Sequence, residues 1–239
     1  MIRAVISDLD GTLIDSLPAW DALPSRLLAQ FGLTAPGDLA ASLAQLSMEE
    51  AVERLKARYA LPESAAALTD RCRELMDRAY RREIPLLPGA AEGFARLRER
   101  GLPVAIATAG DAQLARAALE RLGLWGEVAF LLTEAQVGRS KRHPDIYLRA
   151  AERLGAAPGQ CLVLEDAPHA VAAAQGAGFV VCAVGPGAAA LPDPACGAAA
   201  QSRAAERPCA ADLPDPACAP HPLLRVGNLS ELEAIFPDG

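Results

Sequence analysis

Five short apolar runs recur along the chain, and four of them end against a polar residue: 4–7 before Asp8, 103–107 before Thr108, 128–132 before Thr133 and 161–164 before Glu165. The fifth, 179–184, runs into Gly185. Each is too short for an independent helix and rich in Val, Ile and Leu, as expected of strands buried on both faces. Helical patterns lie between them. The stretch 89–100 puts Phe94 and Leu97 on one face, and 111–122 carries Leu114, Ala118 and Leu122 between a capping Asp111 and Gly123. Two more, over 146–154 and 169–177, complete the alternation. Strand and helix in turn predict an α/β fold with a doubly wound, Rossmann-like parallel sheet.

One stretch breaks the alternation. Residues 16–86 read as helices without a convincing strand: Trp20, Leu23, Leu27, Leu28 and Phe31 share one face, and Leu68, Cys72, Leu75, Met76 and Ala79 another. Between them Ser47 and Glu50 form a capping box ahead of Val52 and Leu55. The expected organisation is an α/β core over 1–15 and 87–239 with an all-helical domain inserted over 16–86. Within the core, 185–222 is a low-complexity insertion rich in Ala, Pro and Cys that carries LPDPAC twice, at 191–196 and 213–218. Beyond it, 223–226 reads as a last edge strand and 230–236 as a closing helix.

A net charge of −7 with scattered Lys and Arg argues against nucleic acid or an anionic membrane as partner. The first ten residues have no signal-peptide pattern, and the uncharged stretch 167–192 is interrupted by Gly and Pro, so no membrane span is expected. Six cysteines without a CxxC pair suit a reduced, cytoplasmic protein. Cys196, Cys209, Cys218 and His221 supply zinc-type ligands, but their spacing fits no established pattern. A monomer is the default expectation.

In a parallel sheet, ligands bind at the carboxyl ends of the strands. Those ends collect Asp8 and Asp10, then Thr108, then Glu165 and Asp166, with Lys141 in the loop before the fourth strand. Phosphate esters repel anionic nucleophiles, so their cleavage depends on positioning and charge neutralisation. Asp8 can attack phosphorus if Mg²⁺ removes the repulsion, and Asp166 and Glu165 offer further hard oxygen ligands. Asp10 emerges two residues on and suits general acid/base work. The Thr108 hydroxyl and the next backbone N–H groups, Ala109 first, can hold phosphoryl oxygens. Lys141 balances the carboxylates, and Gly11 permits a tight turn.

The segments DLDGTLIDS at 8–16, IATAG at 106–110, SKRHPDIY at 140–147 and LEDAPHA at 164–170 resemble the four motifs of the haloacid dehalogenase superfamily. The likeness is to its phosphatase and β-phosphoglucomutase-like branch with a helical cap. It implies Asp8 as nucleophile and Asp10 as acid/base. It also implies Mg²⁺ on Asp8, Asp166 and the Asp10 backbone carbonyl, with Glu165 a ligand through water or behind the ligands, and residues 16–86 as a mobile cap. Trp20, in the cap, stands where the mutase group has a His and is a candidate substrate-binding residue. Arg142 replaces the usual Pro after Lys141, which predicts a looser loop there. The implied function is a Mg²⁺-dependent phosphatase acting on a small phosphorylated metabolite through an aspartyl-phosphate. The alternatives are a sugar-phosphate mutase and a non-catalytic phosphometabolite-binding protein. The insertion over 185–222 is expected to be dispensable.

Overall fold

The computed structural model describes residues 1–44, 46–185, 188 and 223–236. The chain divides into two compact units, one formed by Met1–Ile14 with Leu86–Gly239 and the other by Asp15–Pro85.

The first unit is built on a parallel sheet of six strands: β1 (Ala4–Ser7), β2 (Val104–Thr108), β3 (Val128–Thr133), β4 (Cys161–Glu165), β5 (Val180–Val184) and β6 (Leu224–Val226). Their order is β3-β2-β1-β4-β5-β6, with every pairing parallel. The connecting helices are α5 (Ala90–Glu99), α6 (Ala112–Arg121), α7 (Glu134–Val137), α8 (Asp145–Leu154) and α9 (Pro168–Gly176). β1 and β4 are buried along their whole length, because both have strands on either side and helices over their faces. β3 departs from the expectation of burial on both faces: only Leu132 and Thr133 are buried. It is an edge strand, so its hydrophobic run covers one neighbour instead of two.

Alternation sorts the strand residues. Ala4, Ile6, Ala107, Val163, Val181 and Ala183 join Ile146, Tyr147, Ala150, Ala170 and Ala174 of α8 and α9 in one apolar cluster. The many alanines let helix backbones approach the sheet closely, and large residues such as Tyr147 and Phe179 fill the remaining space. Asp111 caps α6 by accepting from the Gln113 and Leu114 N–H groups. The closing helix expected over 230–236 is a 3₁₀ helix at Leu229–Ile235, a tighter winding than the expected α-helix and common in short terminal pieces. The low-complexity stretch 185–222 lies outside the described residues except for Gly185 and Ala188. Cys196, Cys209, Cys218 and His221 lie outside them as well.

The second unit is helical, with α1 (Leu17–Ala29), α2 (Leu39–Leu43), α3 (Met48–Tyr59) and α4 (Ala65–Arg82). α4 packs against both α1 and α3, burying Leu23, Leu27 and Leu28 against Leu68, Cys72, Met76 and Ala79. The capping box at the start of α3 is present: Ser47 Oγ accepts from Glu50 N–H at 3.2 Å, and Glu50 Oε2 accepts from Ser47 N–H at 2.8 Å. α2 has no counterpart in the sequence reading, since five residues are too few to show a helical period. Among the described residues no helix is long and apolar enough to cross a membrane.

Gly93 shows how tightly the terminal segment is packed on α5. A Cβ there would lie 2.8 Å from the Leu229 carbonyl oxygen and 2.9 Å from Leu229 Cβ. Gly93→Ala should gain about 1 kcal/mol of helix propensity yet lose about 1–3 kcal/mol to overpacking against a backbone that cannot swing aside. The expected outcome is a net destabilisation in urea unfolding, opposite in sign to a propensity-only forecast.

Candidate active site

The strand order determines where polar residues can meet. It reverses at β1, which lies between β2 and β4, and the carboxyl ends of strands at such a reversal open a crevice. Ser7 pairs with Leu164, and the Asp8 N–H donates to the Leu164 carbonyl at 2.9 Å, so Asp8 and Glu165 leave adjacent strands side by side. Thr108 ends β2 on the other side of β1. Gly11, at φ +86°, turns the chain back after Asp10. A Cβ on Gly11 would stand 2.4 Å from Asp166 Oδ2, so glycine is required there for space as well as for backbone conformation.

Lys141 is the centre of the arrangement. Its ammonium donates to Asp8 Oδ1 and, at 2.6 Å, to Glu165 Oε1, and it is 4% exposed. Burial alone would depress its pKa, but the Asp8 and Glu165 carboxylates outweigh that and hold it above its usual value. Backbone hydrogen bonds flank Arg142 on both sides. Lys141 N–H donates to Glu134 Oε1 at 2.5 Å, and His143 N–H closes a turn onto the Ser140 carbonyl at 2.9 Å. Glu134 is itself fixed at the start of α7, where Thr133 and Gln136 form a capping box.

Asp8 is 5% exposed, and burial pushes its carboxyl well above the ordinary range. Lys141 opposes that rise, while Glu165, Asp10 and Asp166 add to it. Asp8 Oδ2 has no hydrogen-bond partner among the described residues. Asp10 Oδ2 accepts from the Thr108 hydroxyl at 3.4 Å, and Thr108 Oγ1 accepts from Gly110 N–H at 2.9 Å. Asp166 Oδ1 accepts from Thr12 Oγ1 at 3.4 Å, and burial, then the charge of Glu165, pushes the Asp166 carboxyl from 3.8 up to about 6.

These residues suit a divalent cation. Asp8, Glu165 and Asp166 each bring a carboxylate oxygen within 4.8 Å of the other two. Their combined charge, when ionised, exceeds that of the single ammonium bonded to Asp8 and Glu165, and Asp8 offers a buried oxygen without a hydrogen-bond partner among the described residues.

The structure therefore brings together Asp8, Asp10, Thr108, Lys141, Glu165 and Asp166, with Ala109 following Thr108. Trp20 belongs to the helical unit. Its indole N–H donates to the Tyr80 hydroxyl at 3.3 Å, beside a cavity of about 280 Å³ lined also by Leu23, Leu43, Met48, Val52 and Leu55. Sequence reasoning missed Tyr147, whose hydroxyl donates to Glu165 Oε1 at 2.6 Å, together with Glu134 and Thr12. A tyrosine on the apolar face of α8, six residues after Lys141, was a legible signal, since a buried phenol needs a partner.

Replacing Gly11 with Ala forces a left-handed backbone on a Cβ-bearing residue and drives that Cβ into Asp166. A destabilisation of about 1–3 kcal/mol is expected in denaturant unfolding.

Known proteins bear on this site. Residues 2–178 match the haloacid dehalogenase-like hydrolase family. The chain is 37% identical to hexitol phosphatase A of Escherichia coli (strain K12) over 183 residues, covering 76% of this chain and 82% of that one. It is 31% identical to validoxylamine A 7'-phosphate phosphatase of Streptomyces hygroscopicus subsp. limoneus, covering 75% and 84%. In fold it superposes on a β-phosphoglucomutase-like protein of Thermotoga maritima with a TM-score of 0.77, covering 98% of each chain at 23% identity. The chain belongs to the haloacid dehalogenase-like hydrolase family, and both relatives named above are phosphatases.

Proposed function

We propose that this protein is a Mg²⁺-dependent phosphatase for a small polyol or sugar phosphate, working through a phosphoryl group carried on Asp8. The observation that carries the reading is the state of Asp8: buried at the end of β1, with one oxygen on the Lys141 ammonium and the other unpartnered among the described residues. The substrate class is supported by the relatives named for a hexitol phosphatase and a validoxylamine 7'-phosphate phosphatase.

The Asp8 carboxylate attacks phosphorus in line with the leaving oxygen, and Asp10 gives that oxygen its proton, so the alcohol departs neutral. Asp10, now a carboxylate, takes a proton from water. The hydroxide attacks phosphorus, the bond to Asp8 breaks, and inorganic phosphate leaves with Asp8 regenerated. The Thr108 hydroxyl holds Asp10. With the Gly110 N–H engaged by Thr108 Oγ1, the Ala109 N–H is the backbone donor proposed for a phosphoryl oxygen. Lys141 favours the ionised form of Asp8 and adds positive charge where the phosphoryl group passes. Asp8 and Asp166 would hold Mg²⁺, which supplies the charge neutralisation that lets an anion approach a phosphate. The helical unit takes the role of the cap, with Trp20 as a substrate contact. A mutase on the same scaffold would need a bisphosphate activator and would release no net phosphate.

Asp8→Asn should retain the fold and lower kcat for p-nitrophenyl phosphate by at least about a thousandfold, because an amide cannot serve as nucleophile. A folded Asn variant with near-wild-type turnover would overturn this reading. A second test uses stability. Because the Asp166 pKa is raised, the metal-free fold holds its proton more tightly than the unfolded chain does. Stability is therefore lost as pH rises from 3.8 to about 6. A cation that binds the carboxylate reverses that loss, so Mg²⁺ should raise Tm more at pH 7 than at pH 5. Asp166→Ala should shrink the difference.

A further inference from the structure

The Glu165 carboxylate is fully engaged by the chain itself. Oε1 accepts from Lys141 Nζ and from the Tyr147 hydroxyl, each at 2.6 Å. Oε2 accepts from the N–H groups of Asp166 at 3.2 Å and Ala167 at 3.4 Å. A carboxylate has about four lone-pair sites, so direct metal ligation by Glu165 would require giving up a donor. Tyr147 is itself held firmly. It is fully buried, packs edge-on against Phe179 with ring centroids 6.1 Å apart, and presents its ring 5.9 Å from Lys141 Nζ. It lies among apolar residues of α8 and the sheet, where phenylalanine would fill nearly the same space without a polar atom to satisfy. The hydroxyl therefore needs a reason of its own.

We propose that Tyr147 is a positioning residue whose hydroxyl commits Glu165 to holding the Lys141 ammonium on Asp8, leaving the cation to Asp8 and Asp166. This rests on the phosphatase reading above and deepens it. Without the phenolic O–H, Glu165 draws more heavily on Lys141, the ammonium shifts away from Asp8, and the phosphoryl-transfer step slows. Substrate binding is affected less, because the hydroxyl acts only through Glu165.

The test is Tyr147→Phe, which keeps the ring and removes the donor. With p-nitrophenyl phosphate, kcat should fall about tenfold while KM stays within about threefold. Titration of the substrate-free protein with Mn²⁺ alone, followed by calorimetry, should show Tyr147→Phe binding at least as tightly as wild type. Glu165→Gln should stay within about threefold of wild type, where loss of a true ligand would cost at least about tenfold. Unchanged kcat with a lower Tm would make the hydroxyl a purely structural bond and overturn the proposal. A tenfold loss of Mn²⁺ affinity in Glu165→Gln would overturn it by making Glu165 a ligand. Should Glu165→Gln fail to fold, a tenfold loss of Mn²⁺ affinity in Tyr147→Phe overturns the proposal in its place. If the wild type itself turns over no phosphate ester, the phosphatase reading falls, while the Mn²⁺ titrations still decide whether Glu165 ligates.

Discussion

The buried ammonium of Lys141 between Asp8 and Glu165 is the interaction on which the rest of the site depends. Carboxylates crowded at the ends of neighbouring strands would otherwise protonate or repel one another, since removing them from water disfavours the charged form. One cation from a different part of the chain makes that crowding tolerable. It does not cancel it: Asp8 remains pushed upward and Asp166 sits at about 6. A divalent cation would relieve the crowding of negative charge that remains, so the same electrostatics that strain the site would favour binding of such an ion.

Holding that ammonium in place requires a supporting layer. Glu134 fixes the Lys141 backbone, Thr133 and Gln136 fix the helix start that carries Glu134, and Tyr147 with two backbone N–H groups fixes Glu165. These contacts span α7, α8 and the β4–α9 turn, so the site is positioned by regular elements and not by a free loop. Lys141, which Arg142 follows in place of the usual Pro, is hydrogen-bonded through both its backbone N–H and its ammonium. Proline is one way to restrict a backbone; a short hydrogen bond to the Glu134 carboxylate is another.

Gly11 joins covalent geometry to electrostatics at a single position. Its left-handed conformation turns the chain after Asp10, and its missing side chain admits Asp166. Fold and chemistry thus constrain the same residue for different reasons.

Much of this was legible in the sequence, because local rules act on local patterns. Short Val- and Ile-rich runs gave the strands, Ser47 with Glu50 gave the start of α3, and a polar residue after four of the five runs marked the crevice, Asp8, Thr108 and Glu165 among them. Other features were not legible. Edge exposure of β3, the short α2 and the 3₁₀ winding at Leu229–Ile235 depend on which neighbours each segment meets. The sequence by itself determined which residue types could do the chemistry and on which strands they end. Only the tertiary structure decided how they are partnered. It gave the Glu165 carboxylate four hydrogen bonds from the chain, and it brought in Tyr147. The reason is that hydrogen-bond partners 18 or more residues apart are chosen by packing between elements, which no spacing along the chain encodes.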